Sequence, residues 1–88
     1  MKYLIVHELN NKTKNYTELF DTIKSSGTTW WHYLETTWII ESDKTPDKIS
    51  NIITPYIDKS QDFVLVVKID AYQKQGWLPK EAWDWLNK

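Results

Sequence analysis

Three carboxylates, Glu8, Glu35 and Asp62, stand where strands begin, end or turn. If the chain forms the sheet argued below, they line one rim. Carboxylate oxygens with waters suit a hard divalent cation such as Mg²⁺. The competing reading is an ordinary strand-end or turn carboxylate at each position. His7 beside Glu8 invites a general-base reading. Adjacent strand residues point to opposite faces, however, so His7 reads as a polar strand-end residue. His32 lies in an aromatic stretch and reads as a packed ring with its nitrogens bonded to neighbours. Trp30, Trp31 and Trp38, with Tyr33, form a third group. RNA-recognition modules stack bases on such sheet aromatics, but couple them to a basic, glycine-rich strand that is missing here. The chain has only Gly27 and Gly76, so it carries no phosphate loop, nucleophile elbow or dinucleotide fingerprint.

The elements that must position these residues follow from apolar spacing. KYLIVHE, residues 2–8, reads as a strand. Asn15 is a candidate N-cap with Glu18 three residues on, and Tyr16, Leu19, Phe20 and Ile23 recur at helical spacing up to Gly27, a helix stop. Residues 29–34 and 36–42 form a hairpin turning at Glu35. Thr45-Pro46 opens a second helix with Ile49, Ile52, Ile53, Tyr56 and Ile57 as its stripe, ended or kinked by Pro55. Residues 62–69, DFVLVVKI, are a strand, and a short helix follows Pro79. The order β-α-β-β-α-β predicts a single ferredoxin-like α+β domain over residues 1–88. It has an antiparallel four-stranded sheet and a short C-terminal Trp-rich helix. Asp43 and Asp70 then fall at the opposite end from the carboxylate rim.

Both faces of that sheet are apolar. Phe63, Leu65, Val67 and Ile69 share one face of the last strand, and Val64 and Val66 share the other. Two helices cover one face, so the second needs a cover. The C-terminal tryptophans Trp77, Trp83 and Trp85, or a second subunit related by a two-fold axis, can supply it. Trp85 lies off the helix line of Ala82, Trp83 and Leu86, and is expected to reach sideways to a partner chain. Lys80, Glu81, Asp84 and Lys88 form a solvated face.

Composition bounds the rest. Eighty-eight residues make one small domain, and thirteen aromatics compensate for a short core. There is no cysteine for a disulfide, and two histidines are too few for a zinc cage. Eleven basic and twelve acidic residues, with no arginine, give a nucleic-acid partner no electrostatic help. No stretch approaches the apolar length of a membrane span, and the expected location is the cytoplasm.

YLIVHE, then WWHYLETTWII, the DxVLVVxI strand and GWLPKEAWDWL together resemble a bacterial family carried under a SinR label. That family is related to the small CRISPR adaptation nuclease-fold proteins and the VapD superfamily. The resemblance spans essentially the whole chain. It implies a ferredoxin-like homodimer, and by position it places a catalytic, metal-binding acid at Glu8, with Mg²⁺ or Mn²⁺ as cofactor. Here glutamate stands where the relatives have aspartate, and His7 stands where a tyrosine is usual. The chain shows no helix-turn-helix pattern, so the regulator label finds no support in it. The expectation is a homodimeric binding or interaction module without catalytic machinery of its own. The alternative is a divalent-metal-dependent endoribonuclease.

Overall fold

The computed structural model describes residues 1–70 and 72–88. Its elements are β1 (Lys2–Glu8), α1 (Thr17–Ser25), β2 (Thr29–Leu34), β3 (Thr37–Glu41), α2 (Pro46–Ile53), a 3₁₀ turn (Thr54–Tyr56), β4 (Phe63–Ile69) and α3 (Lys80–Leu86). The four strands form one antiparallel sheet in the order β2-β3-β1-β4. This is the ferredoxin-like arrangement that the element order predicts.

Strand alternation divides the side chains between two faces. Tyr3, Ile5, Trp38 and Ile40 point to the face covered by α1 and α2, where they meet Leu19, Ile23, Ile49 and Ile53. Each helix contributes an isoleucine or leucine pair at i, i+4, which is why two short helices suffice as a lid. Full burial of one such side chain stabilises by roughly 1.5–3 kcal/mol. The opposite face carries Trp31 and Ile39, which pack under Ala82 and Leu86 of α3. The C-terminal helix thus covers the β2–β3 half of the second face. Among the described residues, no helix is long and apolar enough to cross a membrane.

Several local expectations change. Asn15 does not cap α1. Its Oδ1 accepts from the Thr17 amide at 2.9 Å and the Thr17 hydroxyl at 2.6 Å, forming a turn ahead of the helix. Gly27 has no positive φ, so it is not a left-handed stop. It is required by close approach instead: a Cβ there would sit 2.5 Å from the Glu41 carbonyl oxygen and 3.0 Å from Ile40 Cβ. β3 starts at Thr37 and ends at Glu41, one residue short of the expected range at each end. Pro55 ends α2 as expected; the chain tightens into the 3₁₀ turn.

Candidate functional site

β1 and β2 end where β3 and β4 begin, so topology does carry Glu8, Glu35 and Asp62 to one end of the sheet. Their side chains have different fates there. Glu8 is exposed and pairs in register with Phe63, on the second face. Glu35 is exposed in the β2–β3 turn. Asp62 is buried. Its Oδ1 accepts from the Asn10 amide at 2.7 Å, and its Oδ2 accepts from the Tyr16 hydroxyl at 2.7 Å and the Asp58 amide at 2.8 Å. Among the described residues, no group of three or more His, Asp or Glu is placed to hold a metal ion.

Asp62 is therefore a staple between the loop after β1, the start of α1 and the loop before β4. Burial pushes its carboxyl up, but the two amides and the tyrosine hydroxyl outweigh that and hold it below the usual carboxylate range. Burial and the same hydrogen bond raise the Tyr16 phenol. Asp58 supports the staple: its Oδ2 accepts from Asn11 Nδ2 at 2.9 Å, and its Oδ1 accepts from the Ser60 amide at 3.0 Å. Tyr16 is expected only in the apolar stripe of α1, and Asn10, Asn11 and Asp58 carry no expected site role. The only signal for them was the DKSQD stretch, whose Asp-to-Ser spacing favours a side-chain-capped turn.

His7 and Glu8 point to opposite faces, as alternation requires. His7 is not a polar strand end, however, but part of the core, only 6% exposed. The Trp38 indole N–H donates to its Nε2 at 3.1 Å. The lone pair is therefore on Nε2, and the neutral ring carries its proton on Nδ1, which has no hydrogen-bond partner among the described residues. Burial, with His32 nearby, lowers the His7 pKa from its usual value. His32 is packed, as expected. Its ring stacks on Trp38 with centroids 3.7 Å apart and planes 7° apart, and its Nδ1–H donates to the Thr37 carbonyl at 3.0 Å. Phe20 closes the cluster against His7 and Trp38, at 5.8 and 5.7 Å between ring centroids. Neither histidine is free to serve an exposed carboxylate as a catalytic partner.

The tryptophans separate in the same way. Trp31 and Trp38 are each 2% exposed and cannot stack a base. Trp30 is 43% exposed, but Lys24 Nζ lies 4.7 Å from its ring centroid. Trp85 does not reach outward. Its Nε1 donates to Thr29 Oγ1 at 2.8 Å in the same chain, and Lys2 Nζ lies 5.7 Å from its ring centroid. Trp83 is half-buried against the α3 core. Trp77 does not seal the sheet; it is 99% exposed in the segment leading to α3.

The second face is consequently half open. Phe63, Leu65 and Val67 of β4 are 66%, 60% and 40% exposed. Leu4 and Val6 of β1 are their half-buried register partners or neighbours. At the rim, a cavity of about 370 Å³ is lined by Val6, Glu8, Phe63 and Leu65, among others. A second cavity, of about 610 Å³, lies at the opposite end of the sheet beside Lys2, Lys68 and Asp70. The rim thus combines two exposed carboxylates, Glu8 and Glu35, with an apolar strip. No protein-family model matches the sequence, and no curated protein is significantly similar to it.

Proposed function

We propose that the protein is a homodimeric interaction module whose two copies meet along the open, apolar β4 side of its sheet. The observation that supports this reading is the apolar strip of β4. Phe63, Leu65 and Val67, with the half-buried Val6 beside them, leave roughly 300 Å² of apolar surface exposed in one strip, a size at which surface patches are often functional. The α3 helix covers Trp31 and Ile39 on this face and leaves the β4 strip open beside them.

The test is molar mass by light scattering across nanomolar to micromolar concentrations. Wild type is expected at twice the monomer mass in the micromolar range. Leu65→Glu, at a side chain already 60% exposed, is expected to shift the protein to monomer while leaving its circular dichroism unchanged. A wild type that stays monomeric at the highest concentration overturns the proposal.

A further inference from the structure

We propose that the two subunits join by antiparallel pairing of β4 with β4, centred on Val66, into one eight-stranded sheet. This rests on the dimer reading and adds the contact that makes it. The two edges of the sheet differ. The β2 edge is disturbed, because its register with β3 shifts between Trp31 and Leu34. Such irregularity is a known way of blunting an edge. The β4 edge is straight: seven consecutive residues keep register with β1. It has no proline, and its only charge is Lys68.

The direction of its backbone groups can be worked out. The His7 amide donates to the Thr36 carbonyl and the Ser42 amide to the Met1 carbonyl, each at 2.9 Å. In the β1–β3 register these are directly opposed pairs, so the odd residues of β1 bond to β3. The even residues Lys2, Leu4, Val6 and Glu8 therefore bond to β4, through Ile69, Val67, Leu65 and Phe63. Alternation then turns the N–H and C=O groups of Val64, Val66 and Lys68 outward, along the open edge.

Those three residues are self-complementary about Val66. In a two-fold antiparallel pair, Val66 faces Val66, Val64 faces Lys68, and every outward N–H meets an outward C=O. On the second face the same register sets Leu65 against Val67 and Phe63 against Ile69, so apolar meets apolar. Lys68 meets Val64, and no like charges oppose one another. Across the two-fold axis these pairs shield the flank of each apolar strip against the other. A second copy fits this edge because the backbone pattern, the side-chain pattern and the single lysine all obey one two-fold axis.

The chain has no cysteine, which makes cross-linking clean. Leu65→Cys and Val67→Cys are made separately and oxidised alone and mixed. The mixture is expected to give a disulfide-linked dimer and the separate variants little, since diagonal neighbours lie beyond disulfide reach. Amide hydrogen exchange on unmodified protein supplies the second readout. Above the dimerisation concentration, the Val64, Val66 and Lys68 amides are expected to exchange at least about tenfold more slowly than in the monomer. A dimer whose three amides still exchange quickly overturns edge pairing and leaves the dimer reading standing. A protein that is monomeric throughout overturns both.

Discussion

Removing the Asp62 carboxylate tests whether this residue is spent on structure. In Asp62→Ala, the Asn10 and Asp58 amides and the Tyr16 hydroxyl lose their common acceptor. Hydrogen bonds to a charged group contribute roughly 1.5–3 kcal/mol each. They share one acceptor and some donors regain water, so the sum is not additive, and the expected loss is about 3 kcal/mol. That is a large part of the ~5–10 kcal/mol available to a small domain. With a urea slope of ~1–1.5 kcal/mol per M, the midpoint falls by ~2–3 M, read by tryptophan fluorescence. Asp62→Asn is not a rescue. Both carboxylate oxygens accept from a backbone amide, so one amide must face the new NH₂ group, and a loss of about 2 kcal/mol is expected. Millimolar Mg²⁺ or Mn²⁺ is expected to leave the wild-type midpoint unchanged. A loss under about 1 kcal/mol in Asp62→Ala would refute the staple. So would a metal-dependent rise in midpoint that Asp62→Asn abolishes, and it would return Asp62 to the role of ligand.

Gly27→Ala should destabilise by about 1–3 kcal/mol in the same urea assay, because the added methyl meets a backbone carbonyl that cannot swing aside. The folded-state pKa of His7 is depressed below its usual 6.5, so the unfolded chain binds the extra proton first. Wild-type stability should thus be full above pH 6.5 and decline as the pH falls through the folded value, a decline that His7→Leu should flatten in thermal melts. The Asp62 contribution has the same sign at lower pH: it is present above the normal aspartate value and lost as the pH falls through the depressed folded one. Trp85→Phe, which deletes the donor to Thr29, should cost about 1 kcal/mol without altering the dimer mass. A change in mass would show that Trp85 serves a partner and not its own chain.

The fold was readable because its signals are local. The i, i+4 pairs Leu19–Ile23 and Ile49–Ile53, the Pro46 start, the Pro55 stop and the continuous apolar run FVLVVKI each act within a few residues. The candidate site depends on distant partners. Topology alone placed Glu8, Glu35 and Asp62 at one end of the sheet. The hydrogen bonds that take up Asp62, however, come from Asn10 and Tyr16, 52 and 46 residues away in sequence. His7 looked like a strand-end polar residue because nothing near it in sequence announces the Trp38 indole, 31 residues on. Trp85 looked free for the same reason: its acceptor, Thr29, is 56 residues away. Gly27 was rightly singled out, but helical pattern alone could not separate a left-handed turn from a close strand contact.

The shifted register in β2 bears on how far assembly can go. A sheet grows along its hydrogen-bonding direction, and a unit with two receptive edges adds neighbours without limit, which is the geometry of a fibre. On the proposed pairing, one edge is receptive and the other is spoiled by the register shift between Trp31 and Leu34. A unit of valence one consumes its single bond on the first partner it meets, and the product has only spoiled edges left to offer. Straightening β2 would raise the valence to two and turn a terminating pair into a chain. On that pairing, the irregularity that looks like a flaw in the hairpin is what ends assembly at two copies.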